Sequence, residues 1–314
     1  VGDGLAVQIE PNPNPDGNTI TITPSTPREN LVPFTNVGTI NIQPSASLSN
    51  ANRFENSGAV FSAGTITHSD AFINNRVFAL QEGSQFNNLA SGRYSGGLGS
   101  IGIAGTFVNE GAVTHSLGHI IVGETGQYIQ RQAVGSFVTP TTVTPDAPFT
   151  NAGRVHIVAG DFTIDPISVR AASATYDQSS TGTTQIDARL HSIGGTVRNA
   201  GAITIGATGE YRQESPSAPF LAGSTTNSGT FTNAGTTNIG TGVFTNQGSM
   251  ANSGTFTVGA AGQYVQEVSS GSSPPPATNN IGGFTNAGQM RIGEGTSFNN
   301  FSNQGLPVAQ YVQQ

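Results

Sequence analysis

Apolar and polar residues alternate along this chain in short bursts of period two, and the bursts end at similar places. Phe34-Thr35-Asn36-Val37-Gly38-Thr39-Ile40-Asn41-Ile42 is the first full instance. An apolar residue is followed by x-Asn-x-Gly and then by alternating β-branched residues. The phrase returns at Phe54–Gly58, Phe107–Gly111, Phe149–Gly153, Val197–Gly201, Phe231–Gly235, Phe244–Gly248, Met250–Gly254, Phe284–Gly288 and Phe301–Gly305, with degenerate copies at Phe72–Asn74 and Phe86–Asn88. Alternation of this kind predicts half-buried strands, and no apolar stripe of period 3.6 competes with it.

A second apolar position follows the first at a fixed distance. Phe34 to Leu48, Val197 to Tyr211, Met250 to Tyr264 and Phe284 to Phe298 all show the same offset of fourteen positions. The offset places both positions in one unit of roughly 20 residues, the length expected of stacked repeats. The predicted fold is an all-β parallel β-solenoid over residues 33–314, with three short strands and two or three corners per turn. Phe34, Ile40, Ile42 and Leu48 point inward, and the Asn side chains form ladders along the corners. The Asn-x-Gly corner is expected to turn because both residues tolerate positive φ. A β-sandwich also has short strands and regular turns, but only a solenoid needs near-identical corners, because each turn of chain sits on the last.

Residues 1–32 read differently. Pro11, Pro13, Pro15, Pro24 and Pro27 interrupt them, and Thr19–Thr23 is their one good strand. They are expected to form an extended arm without a core of its own. Polar inserts follow each Tyr-x-Gln, at Arg131–Pro148, Glu214–Gly229 and Glu267–Gly283. Inserts at one corner would share one face, a place where solenoids often bind.

Composition narrows the function. Cys, Trp and Lys are absent, all eleven cations are Arg, and only 9% of residues are charged, against 42 Gly and 27 Asn. No disulfide or thiolate metal site can form. The net charge of −7 and the lack of basic clusters argue against nucleic acid and anionic membrane as partners. No apolar run is long enough to cross a bilayer as a helix. The first residue, Val1, is expected to follow a removed export signal.

The phrases FTNAGTTNIG, ANSGTFTVGAAGQY and RNAGAITIGATGEY resemble the repeats of secreted bacterial β-helix proteins. These are the filamentous haemagglutinin-like exoproteins and autotransporter passengers. The resemblance covers roughly residues 33–314 and implies a right-handed parallel β-helix outside the cell, used in adhesion or surface structure.

The chain carries little chemistry by pattern. Asp161 and Asp165, with Arg154, His156 and Arg170 near in sequence, could supply a carboxylate pair of the kind glycosidases use; as turn carboxylates they would do nothing. His115 and His119 are four apart on a predicted strand and turn, so they are read as surface or corner histidines. No catalytic, cofactor or metal residue is assigned, and no enzyme activity is expected. Tyr128, Tyr211, Tyr264 and Tyr311 occupy the Leu48 position and are read as core with a polar rim. Three functions stay open. The first is a subunit of an extracellular filament, polymerising head to tail with the arm donating a strand to its neighbour. The second is a monomeric surface adhesin that binds glycans through its inserts. The third is a polysaccharide-active enzyme.

Overall fold

The computed structural model describes residues 7–97, 99–115, 118–131, 135–139, 149–166, 174–214, 223–268 and 275–300. Every regular element among them is a β-strand, and every strand pairing is parallel to the strands one turn before and after. The chain is a parallel β-solenoid. One turn consists of Phe34–Asn36 on a first face, Thr39–Ile42 on a second and Ser47–Asn50 on a third. The third face is a sheet of 14 strands, and the first two faces together make one of 23. They are joined because Thr236–Asn246 and Thr255–Gln266 run unbroken from the first face to the second.

The strands form because every second side chain is apolar and the coil has one dry interior. Phe34, Asn36, Ile40, Ile42, Leu48 and Asn50 are all buried, while the residues between them face outward. Aromatic rings stack up the interior: Phe34 on Phe54 at 5.3 Å, Phe54 on Phe72 at 4.8 Å, Phe86 on Phe107 at 4.7 Å and Phe107 on Tyr128 at 5.4 Å. Such contacts add to the burial of the rings themselves.

Phe34 stands beside Phe54 and Phe54 beside Phe72, so the first of these turns takes twenty positions and the next takes eighteen. The repeated phrase, however, does not stay on one face. It lies on the first face at Phe34, Phe54, Phe72 and Phe284. It lies on the second at Phe149, Val197 and Phe244, and on the third at Phe86, Phe107, Phe231 and Met250. The offset of fourteen therefore spans two strands and two corners, which is two thirds of a turn. The three faces offer nearly the same inward environment, and one phrase serves all of them.

The amide ladders are inside, where the side chain of each Asn closes its own corner. Asn56 shows the full set. Its Oδ1 accepts from the backbone N–H of Gly58 at 3.2 Å and from Nδ2 of Asn36 at 2.7 Å. Its own Nδ2 donates to Oδ1 of Asn74 at 2.8 Å and to the carbonyl of Val77 at 2.9 Å. All four hydrogen-bonding positions of the amide are used. The pattern repeats through Gln178, Asn199, Asn227 and Asn246 on the second face and through Asn233, Asn252 and Asn280 on the third. In these ladders each amide donates toward the carboxy-terminal turn.

The corner glycines do not serve the purpose expected of them. Positive φ occurs at Gly17, Gly83, Gly160, Gly194, Gly242, Gly295 and Ser45, and none of these follows an Asn-x. At Asn-x-Gly the constraint is space. A Cβ on Gly58 would lie 2.0 Å from the carbonyl oxygen of Gly38, one turn below, and one on Gly254 would lie 2.1 Å from that of Gly235.

Residues 7–30 are extended, as expected, but they belong to the coil. Thr19–Ile22 pairs with Thr39–Ile42, Val7–Gln8 with Arg28 and Glu29, and Asn14 joins the ladder by donating to Asn36 at 2.7 Å. Ile9, Ile20 and Ile22 are buried in the common core. This stretch is the first turn of its own chain and is not free to be given away.

The inserts also divide. Segments 140–148, 167–173 and 215–222 come in the chain between strands of the first and second faces, whereas 269–274 comes between strands of the second and third. The single insert face expected from the Tyr-x-Gln rule is replaced by two corners, because Tyr-x-Gln itself occurs on all three faces. Tyr311 and the last copy, Phe301–Gly305, lie outside the described residues.

Tyr-x-Gln is Phe-x-Asn with two longer side chains. Tyr128, Tyr211 and Tyr264 are buried in the core. The Tyr264 hydroxyl is 2.6 Å from Oγ1 of Thr278, which donates to Oε1 of Gln266 at 2.6 Å. Tyr211, Thr225 and Gln213 repeat the arrangement, as do Tyr176, Thr184 and Gln178. Thr on the next strand takes an apolar position and satisfies the phenol there. Burial pushes all three phenols well above the usual tyrosine range.

One ladder position is titratable. His68 follows Asn30 and Asn50 on the third face and is buried. Nδ2 of Asn30 donates to Oδ1 of Asn50, so the Asn50 amide presents its Nδ2 to Nδ1 of His68, at 2.7 Å. That leaves Nε2 to carry the hydrogen toward the carbonyl of Arg93 at 3.3 Å. Burial holds the imidazole below its ordinary pKa of 6.5. The unfolded chain therefore binds more protons, and stability falls as pH drops through and below 6.5. Thermal unfolding should show a melting temperature a few degrees lower at about pH 5 than at about pH 7.5. His68→Asn, which restores the residue of the neighbouring turns, should remove most of that difference.

Candidate functional site: the charged middle turns

Charge is rationed along the coil. Eleven of 29 charged residues (eleven Arg plus eighteen Asp and Glu) fall within 154–214, and only Glu267, Arg291 and Glu294 follow in the last hundred positions. Because alternate residues point outward, stacking brings the outward charges of successive turns into rows.

On the first face Asp161, Arg189 and Glu210 stand beside one another in register. Arg189 lies 3.3 Å from Asp161 and 2.8 Å from Glu210, and these pairs, Glu210 first, raise the guanidinium's affinity for its proton. Beside them His191 meets Glu214 at 3.1 Å, and Arg212 closes on the same carboxylate. Partial burial alone would raise the Glu214 pKa, but the bonds from Arg212 and His191 outweigh it and lower it. On the third face His156 lies 2.7 Å from Asp187, and Gln185 donates to the other oxygen at 2.7 Å. Here too partial burial opposes the shift, and the two hydrogen bonds prevail in holding the carboxyl below its usual range. On the second face Arg198 reaches Asp177 at 3.0 Å.

The predicted carboxylate pair is not assembled. Asp161 and Asp165 lie on the one strand Asp161–Pro166, where four extended residues span roughly 13 Å. A glycosidase pair needs about 5–9.5 Å between carboxyl groups. Asp161 is committed to Arg189 instead. The side chain of Asp165, and Arg170 altogether, lie outside the described residues. Arg154 is exposed on the third face, two residues before His156. His119 stands at the entry to the strand Ile120–Val122, with its backbone N–H donating to Ser100, and the His115 side chain lies outside the described residues. Among the described residues no group of three or more His, Asp or Glu could hold a metal ion.

Spacing within one segment does not single out the Asp177–Arg198 pair. Its signal is comparison of copies. Tyr176-Asp177-Gln178 and Val197-Arg198-Asn199 are the same phrase one turn apart, so their middle residues must be neighbours on the outside.

No family model matches the chain, and neither does a curated protein or a solved structure.

Proposed function

We propose that this chain is a structural subunit of an extracellular bacterial filament, a stiff coil lengthened by stacking end to end. The observation that carries this reading is the regularity of the coil. Among the described residues from 19 to 300, successive turns present one another with three parallel strand edges, inward positions in register and, on most turns, amide donors aimed the same way. A coil end of this kind can seat another coil by the contacts it uses internally. Export to the cell surface rests on the resemblance of the repeats to secreted β-helix proteins. Low charge with neither Lys nor Cys suits a fibre exposed to proteases and oxidants.

Strand donation by residues 1–32 is not part of the proposal, since residues 7–30 already complete their own chain's first turn. Stacking instead joins whole ends. Negative-stain electron microscopy and light scattering of the purified chain should show rods that lengthen with concentration, one coil in width. A concentration-independent monomer would favour the second reading, a surface adhesin, which the charged middle turns support. Deleting residues 1–32 should remove core residues Ile9, Ile20 and Ile22 and so lower stability as well as assembly.

A further inference from the structure

We propose that the second face of the middle turns carries a binding cleft for a neutral oligosaccharide. The cleft is an open groove of about 450 Å³, a volume within the range of small-ligand sites. Its floor is the outward row Thr150, Asp177, Arg198 and Thr226, in register on four successive strands. Ser179 and Ser228, at the corners that follow two of these strands, line one side.

The lining selects the ligand class. Most of its exposed surface is carbon, and the Thr150 and Thr226 hydroxyls with the Asp177–Arg198 pair supply polar groups over three inter-strand steps of ~4.8 Å, or about 14 Å in all. That row matches the spaced hydroxyl groups of a short sugar chain. Asp177 and Arg198 neutralise each other at 3.0 Å, so the cleft has no net charge to reward phosphate or a polyanion. An extended peptide would need open strand edges for its backbone. Here the strands of the floor are paired above and below, and only side chains face the cleft. The aliphatic stem of Arg198, whose head is well exposed, gives the apolar face of a sugar ring something to lie on. This inference does not depend on whether the coils polymerise.

The test is retention of the full chain on a panel of immobilised neutral oligosaccharides built from hexoses and N-acetylhexosamines, with acidic oligosaccharides and extended peptides alongside. Hits are then titrated by calorimetry. A neutral oligosaccharide should bind, and Asp177→Ala and Arg198→Ala should each weaken it at least tenfold. Arg291→Ala, an exposed arginine in the same outward row of the same face, should leave it unchanged. In the unaltered chain the bound sugar should shift the amide resonances around Thr150 and Thr226, a readout that no variant's folding can confound. No retention on any neutral sugar, retention confined to acidic sugars or peptides, or binding indifferent to both substitutions would overturn the proposal.

Discussion

Replacing Asn56 by leucine should cost about 4 kcal/mol and open the coil locally. Leucine matches the size of asparagine but would sit between the amides of Asn36 and Asn74. The loss comes from what asparagine leaves behind. The Gly58 N–H and the Asn74 side-chain oxygen would each lose a partner within a dry interior, and the Val77 carbonyl would lose its amide donor. Each orphaned buried group costs about 1–3 kcal/mol. Asn36 is less affected, because its Nδ2 also reaches the carbonyls of Gly38 and Ala59. Asn56→Asp should be nearly as damaging, since a carboxylate cannot donate to Asn74. Because a solenoid turn touches mainly its neighbours, hydrogen exchange should accelerate across residues 34–80 well before it does around residue 240. Uniform acceleration along the chain, or none, would refute the ladder's structural role.

The same ladder explains how far the fold can be read in advance. Alternation locates the strands, and the constant offset of fourteen identifies a coil. What composition cannot reveal is that the offset counts strands and not turns. Phe34 and Val197 carry the same phrase on different faces because the interior treats the faces alike. The arm misleads for a related reason. Thr19–Ile22 lacks the Asn-x-Gly signature, and prolines surround it, yet its isoleucines meet Ile40 and Ile42 in register. Its partner lies one turn later in the chain, and period-two alternation says nothing about where a strand will pair. The charged rows have a sequence signal that spacing within one segment conceals. Asp165 is the acid nearest Asp161 in sequence, but the partner of Asp161 is Arg189, at the same place one turn later. An insert between those turns lengthens the interval and hides the register. The buried Thr184, Thr225 and Thr278 are invisible for another reason: each is explained only by a tyrosine on an earlier strand.

Substituting alanine for glycine should separate two kinds of glycine that look alike in the sequence. Gly58→Ala should cost at least about 3 kcal/mol, at the upper end of what overpacking imposes. Its Cβ would meet the Gly38 oxygen at 2.0 Å and the Val37 oxygen at 2.4 Å. Both contacts are backbone, held in place by pairing with the turns on either side, so neither can swing away as a flexible side chain would. Gly83→Ala should cost only about 1 kcal/mol: the space around it is empty, but its φ of 77° strains any residue with a side chain. Gly102→Ala should be neutral or stabilising by up to about 0.5 kcal/mol. Gly102 sits outward on the strand Ser100–Ile103 with nothing near its would-be Cβ, and alanine restricts the unfolded chain more than glycine does. Denaturant midpoints of the three variants test the order directly. If Gly58→Ala unfolds no earlier than Gly83→Ala, the turns are not in the close contact that forces glycine at each Asn-x-Gly, and the repeat would need another cause. The high cost at Gly58 follows from contact between successive turns alone, and it holds whether the coil polymerises, binds sugar or does both.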